Sequence, residues 1–295
     1  MAASVAVVGA GSVGGFFAAQ ARTARNNVTL CVRTGFDKLV VETGGEETTV
    51  DAAVHTNPAE VDVHDWVLLA VKAHQTAATA NWLEALCGPS TVVVVLQNGV
   101  EHRERVAPLA DGAEVLPAVV RYGGEAIDPG RVRHYTYGSL TVPDNDAGRR
   151  LVELFRGSDA EVMPSGDFER EAWSKLVTNV AANAIPAITL QRFPVFRGPD
   201  VAALAEALMM ECITVAAAVG VEIPAELARS EVERLAGLPD HVGSSMLYDR
   251  LAGRSLEYDA LNGAVVRIGA RHGVPAPLNR AMVALLGAIS DGGGA

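Results

Sequence analysis

The chain has 295 residues, enough for two domains with separate cores, and its 49% apolar and 20% charged content is that of an ordinary globular protein. A formal net charge of −11, with no cluster of lysine and arginine, excludes a nucleic-acid footprint. Cys31, Cys87 and Cys212 lie far apart with no Cys-x-x-Cys or Cys/His spacing, so neither a disulfide framework nor a metal site is expected.

No uncharged apolar run reaches the roughly 18–20 residues of a membrane span. The N-terminus enters a strand pattern without a basic stretch, so a cytoplasmic protein with no membrane partner is expected. Ser4–Val8 is a short β-branched run of the kind buried on both faces of a parallel sheet. It leads into Gly9-Ala10-Gly11-Ser12-Val13-Gly14 and a helix-like run from Phe16. Strand, G-x-G-x-x-G and helix in that order predict a dinucleotide site. Gly9 makes the turn, Gly11 admits a pyrophosphate, Gly14 lets helix and strand close up, and Ser12 and Val13 begin the helix that offers its N–H groups.

The second strand, Val28–Val32, is followed by Arg33, and no acid occurs before Asp37. A carboxylate there would accept from the ribose 2′-OH of NAD, whereas a guanidinium binds a 2′-phosphate, so NADP is favoured. An ordinary surface arginine would look the same. Residues 42–58 suggest a short hairpin. Trp66–Val71 is a further buried strand ending in Lys72-Ala73-His74-Gln75. Lys72 and Gln75 lie where open α/β sheets bind ligands, although a solvated lysine is equally consistent. A helical stretch over 76–87 precedes the strand Thr91–Leu96, which ends in Gln97-Asn98-Gly99. Asn98 offers a donor and an acceptor at nicotinamide depth, or is simply half of a turn. Strands over 115–122 and 160–163, a hairpin of 131–135 with 138–142, and a helix over 146–156 complete the first half, with Pro164–Asp167 as linker.

From Phe168 the pattern becomes helical, with further helices over 201–219, 225–235, 255–271 and 278–288, and a frayed tail over 291–295. The expected architecture is an α/β Rossmann-type dinucleotide-binding domain, residues 1–167, followed by an all-α domain, residues 168–295, with chemistry in a cleft between them. The run Trp173–Ile185 is apolar except at Lys175, Asn179 and Asn183. At i, i+4 and i+8 these form one polar stripe on a buried helix, either a structural network or a substrate pocket. Ser244 and Ser245 form a candidate carboxylate cradle or a helix N-cap. Asp259 is explained by helix capping, while Glu257 is left open between that structural role and a functional one.

Together these residues resemble the ketopantoate reductase (2-dehydropantoate 2-reductase) family across nearly the whole chain. The glycine motif is unspecific. The specific part is the ordered set Trp173–Asn179 with Asn183, Ser244-Ser245-Met246 and Glu257-Tyr258-Asp259-Ala260-Leu261-Asn262-Gly263. The resemblance implies that Arg33, Lys72 and Gln75 hold the adenosine end of NADPH and that Asn98 meets the nicotinamide ribose and substrate. It further implies Lys175 as general acid, Asn179 and Asn183 positioning substrate, Ser244 on its carboxylate, and Glu257 on the cofactor ribose and orienting Lys175. Of the two amides, Asn183 is expected to touch substrate and Asn179 to hold the lysine. Related enzymes are often dimers, so a homodimer is implied.

The implied activity is NADPH-dependent reduction of 2-dehydropantoate, a step towards pantothenate and coenzyme A. No tyrosine here has lysine four residues on, so the short-chain dehydrogenase arrangement is absent and Lys175 is the remaining acid. Burial would depress its pKa, while Glu257 and a substrate carboxylate would raise it. After Asn183 the chain departs from the family pattern, reading Ala184-Ile185-Pro186-Ala187. Reduction of a different 2-oxo acid is therefore the alternative, and a non-catalytic NADP sensor on the same scaffold is a second.

Overall fold

A computed structural model of the chain describes residues 2–292. It divides into two compact units, one running up to Gln97 and from Glu101 to Phe168, the other joining Asn98–Val100 to the chain from Glu169 on. In chain order the first unit contains β1 (Ser4–Val8), α1 (Ser12–Thr23), β2 (Asn27–Cys31), β3 (Leu39–Thr43), β4 (Glu46–Val50), β5 (Ala53–His55) and β6 (Trp66–Leu69). It continues with α2 (Ala80–Leu86), β7 (Val92–Val95), α3 (His102–Val106), β8 (Glu114–Pro117), β9 (Val119–Asp128), β10 (Arg131–Pro143), α4 (Asp146–Leu154) and β11 (Glu161–Ser165).

Six strands form a wholly parallel sheet in the order β5-β2-β1-β6-β7-β8. Side chains alternate across it. Val5 and Val7 pack with Phe16 and Phe17 of α1, whereas Ala6 and Val8 pack with Leu83 and Leu86 of α2. That two-sided burial explains why these strands read as continuous apolar runs. The strand order reverses at β1 and β6, and the crevice at their carboxyl ends is where such sheets take ligands.

A second sheet, β11-β10-β3-β4 with β9 paired to β10, contributes Leu39, Val132 and Leu140 to the same core as α1. Helix α1 therefore lies between two sheets. Its entry is tight: Gly9 adopts φ +92°, and a Cβ on Gly14 would come within 1.9 Å of the Gly9 carbonyl oxygen.

Several expected elements are displaced. The hairpin is β3–β4, turning at Gly44-Gly45 with φ of +61° and +88°, while β5 leaves it to join β2. The strand expected over 115–122 splits at Ala118, β8 entering the parallel sheet and β9 the second sheet. The expected hairpin over 131–142 is one strand, β10, with a register shift where Tyr137 takes φ 58°. The actual turn lies at Pro129-Gly130, between β9 and β10. Pro164 and Ser165 belong to β11, leaving Gly166-Asp167 as connector.

The second unit is built from α5 (Phe168–Ala182), α6 (Ala184–Thr189), α7 (Pro199–Ala218), α8 (Glu226–Ala236), α9 (Ser245–Leu251), α10 (Asn262–Arg271) and α11 (Pro277–Gly292). The helix expected over 255–271 is broken: a short 3-10 turn, Tyr258–Ala260, and an irregular Leu261 precede α10. Asp291 and Gly292, expected in the tail, are in α11, and residues 293–295 lie outside the described residues. By length and a mean hydropathy of 1.8, α7 could cross a membrane. Yet it carries Asp200, Glu206 and Glu211, and its Ala205, Leu208, Met209, Cys212 and Val215 pack into the helical core.

The close approach at Gly14 is testable. Gly14→Ala should cost about 1–3 kcal/mol in the unfolding of the first unit, the usual scale of overpacking, read as a lower urea midpoint. An unchanged midpoint would contradict the geometry.

Candidate active site

The residues expected to hold the nucleotide lie just beyond the carboxyl ends of β1, β2 and β6. No side chain caps the first N–H groups of α1, and its first turn holds no acid. A Cβ on Gly11 would meet nothing within 4 Å, so space lies open against those N–H groups. An open, uncapped helix start free of negative charge fits a pyrophosphate. Arg33 is exposed just beyond β2 and makes no ion pair among the described residues. Lys72 and Gln75 are half-buried beyond β6. Sequence reasoning missed what fixes this segment: buried Gln97 donates from Nε2 to the Val71 carbonyl at 3.0 Å and bonds the Thr76 hydroxyl.

The residues expected at the reacting end, Asn98, Lys175 and Glu257, fall in the second unit. Lys175, on α5, donates from Nζ to Oδ1 of Asn98 at 3.1 Å, and Asn98 donates from Nδ2 to Oε2 of Glu257 at 3.4 Å. Asn98 is thus more than a turn residue. It belongs to the helical unit and stands between the lysine and a carboxylate that is only 5% exposed. Its orientation is forced by chemistry, since the amide nitrogen must face the carboxylate and the oxygen the ammonium.

The two asparagines of the stripe divide differently from expectation. Asn183 is buried, and its Oδ1 accepts from the Met246 N–H at 3.3 Å and the Ser245 hydroxyl at 3.2 Å. It ties the end of α5 to the start of α9. Asn179, half-buried one turn beyond Lys175, makes no side-chain hydrogen bond among the described residues. The amide expected to hold the lysine is the open one, and the amide expected at substrate is anchored. Ser244 is the N-cap of α9, accepting from the Leu247 N–H at 3.2 Å. Its neighbour Ser245 bonds Asn183, a division that adjacent identical residues could not reveal. Asp259 lies in the first turn of the short 3-10 stretch Tyr258–Ala260, as expected of an acid at a helix start, and also pairs with Arg267.

Burial disfavours the thiolate at all three cysteines. Burial pushes the Cys31 thiol to about 12, and burial with the nearby Asp111 charge pushes Cys87 to about 11. Cys212 is raised too, again by burial, so none offers a thiolate. Among the described residues no group of three or more His, Cys, Asp or Glu side chains could hold a metal ion.

Residues 5–147 match the family model described as ketopantoate reductase PanE/ApbA, and residues 167–290 match the model of its C-terminal part. The chain belongs to the ketopantoate reductase family. It is 38% identical to the 2-dehydropantoate 2-reductase of Mycobacterium tuberculosis over the full length of both chains. It is likewise 38% identical to that of Caulobacter vibrioides, covering 97% of this chain and 99% of the relative. Among solved structures, the PanE/ApbA family ketopantoate reductase of Ralstonia eutropha JMP134 superposes with a TM-score of 0.89 at 34% identity, covering 98% of this chain and 99% of that one. A dimeric ketopantoate reductase of Staphylococcus aureus gives a TM-score of 0.89 at 25% identity, covering 99% and 100%. The chain is accordingly an oxidoreductase acting between CH–OH and C=O with a nicotinamide dinucleotide.

Proposed function

We propose that the protein reduces 2-dehydropantoate to pantoate with NADPH, in the cytoplasm and as a homodimer. The observation that carries this reading is the chain Lys175–Asn98–Glu257: a positioned ammonium within a helical core, beside an amide left open on the next turn. Bound NADPH supplies the hydride equivalent to the carbonyl carbon. The residues of this chain supply everything else.

Charge develops on the carbonyl oxygen as the hydride arrives, and a donor there lowers the barrier. Lys175 Nζ gives that oxygen its proton. Asn98 Oδ1 holds Nζ in place, and Glu257 holds Asn98. Asn179 lies one turn from Lys175 on the same face and presents its amide to substrate. Asn183 fixes the start of α9. The Ser244 oxygen already accepts from Leu247, which leaves its O–H to donate to the substrate carboxylate. At the other end, Arg33, Lys72 and Gln75 hold the adenosine 2′-phosphate while the N–H groups at Ser12, Val13 and Gly14 face the pyrophosphate. The exposed guanidinium of Arg33, which makes no ion pair among the described residues, supports NADPH over NADH.

The deciding assay follows NADPH oxidation with 2-dehydropantoate against a panel of other 2-oxo acids. The wild-type chain should show its highest kcat/KM with 2-dehydropantoate. Lys175→Ala should lower kcat by about 10²–10⁴-fold, the usual worth of a positioned acid, with NADPH affinity little changed. Activity within a few-fold of wild type would sink the role given to Lys175. Arg33→Ala should cost about 1.5–3 kcal/mol of NADPH binding, the scale of charged hydrogen bonds. Equal use of NADH and NADPH by the wild-type chain would count against the reading of Arg33.

A further inference from the structure

Behind the polar face of α5 runs a second set of polar side chains, two buried asparagines and the half-buried Glu211, that the reaction does not use. Asn262, at the start of α10, and Asn279, in α11, are both 0% exposed. Asn262 donates from Nδ2 to the Val180 carbonyl at 2.9 Å and to Asn279 Oδ1 at 2.9 Å. Asn279 in turn donates from Nδ2 to the Leu208 carbonyl at 3.1 Å and to Glu211 Oε2 at 2.9 Å. Glu211 also accepts from the backbone N–H groups of Leu278 and Asn279, each at 2.9 Å. The carboxylate thereby closes the start of α11, where negative charge is favoured. Every link has a fixed direction. Two acceptors face each amide nitrogen, so neither asparagine can turn over without setting oxygen against oxygen.

The far end of this relay meets the active-site helix at its one interruption. The ladder of α5 carries on through Asn183, whose N–H bonds the Asn179 carbonyl at 3.1 Å. One residue later the regular helix is interrupted: Asn183 is a turn residue between the end of α5 at Ala182 and the start of α6 at Ala184, and Pro186 has no N–H to return to Ala182. The Val180 carbonyl, in the last turn before this break, is the one that accepts from Asn262. A buried carbonyl without a partner costs about 1–3 kcal/mol, so the asparagine supports the helix end where the break falls. The break matters because it divides the stripe. Lys175 and Asn179 stay on the straight helix, while Asn183 turns to hold Met246 and Ser245 at the start of α9.

We propose that Asn262, aligned by Asn279 and Glu211, is a positioning residue that holds the break in α5 and so sets Asn183 and the Ser244–Met246 turn relative to Lys175. It touches neither substrate nor cofactor. The consequence for turnover rests on the function proposed above; the consequence for geometry does not. Asn262→Leu keeps the branching and heavy-atom count of the side chain and removes the donor. Misplacing positioned groups by a fraction of an ångström to an ångström costs up to about 100-fold in rate. The variant should therefore lose roughly 10- to 100-fold in kcat with 2-dehydropantoate while its NADPH Kd stays within about twofold. Its crystal structure should show Asn183 withdrawn from the Met246 N–H.

A folded variant with wild-type kcat and a lower Tm, or a structure in which Asn183 still bonds Met246, overturns the proposal and leaves the relay a stabilising element only. Where Asn262→Leu does not fold, Asn279→Ser removes only the partner that aligns Asn262, and the same kcat, Kd and structural criteria decide. Wild-type rates measured alongside separate the two claims. A wild-type chain inactive on 2-dehydropantoate refutes the substrate, and the position of Asn183 in the variant structure then decides the proposal.

Discussion

An ammonium placed among apolar helices must find acceptors, and the second unit is arranged around meeting that demand for Lys175. Its neighbours Trp173, Leu176, Val177 and Val180 on α5 are buried in the helical core. A lysine left unpaired beside them would cost several kcal/mol or lose its proton. The acceptor comes from outside the helical sequence altogether: Asn98, three residues past β7, followed by Gly99 at φ +105°. Because an amide offers a donor on one side and acceptors on the other, Glu257 is needed to decide which side faces the lysine. Three residues separated by more than seventy positions in each direction thus form one unit with a single allowed orientation.

The same helix carries two tasks with opposite requirements. Lys175 and Asn179 need a straight, regular helix so that they stack on one face. Asn183 needs to leave that line in order to cap the start of α9. Pro186 ends the regular ladder, and the second stripe of buried amides, Asn262 and Asn279, meets the Val180 carbonyl in the last turn before the break. Asn183, Asn262 and Asn279 each bond other groups at fixed angles, while Asn179 is left facing the place where a ligand is proposed.

What could be read from the sequence follows the reach of each signal. Local signals held: the buried runs at 4–8 and 92–95, the glycine turn at Gly9–Gly14 and the long helices α7 and α8 lie within a residue or two of their expected bounds. Signals that depend on partners far along the chain did not. The Rossmann sheet and the second sheet share strand sequences of the same character, so nothing local told β8 from β9 or separated β5 from the β3–β4 hairpin. The polar stripe of α5 was legible as a face, but which amide was anchored depended on Met246 and Ser245, more than sixty positions away. Asn262 lay in plain view in a motif, and its task was hidden because its partner is a backbone carbonyl, which no side-chain pattern marks.

The central claim is that Asn98 and Glu257 act on Lys175 as one connected group and not as separate contacts. A double-mutant cycle on kcat/KM, with Asn98→Ala, Glu257→Gln and the two combined, measures this directly. Coupled action predicts that the double variant loses less than the sum of the single losses, by about 1 kcal/mol or more. Losses that add to within about 0.5 kcal/mol would contradict it.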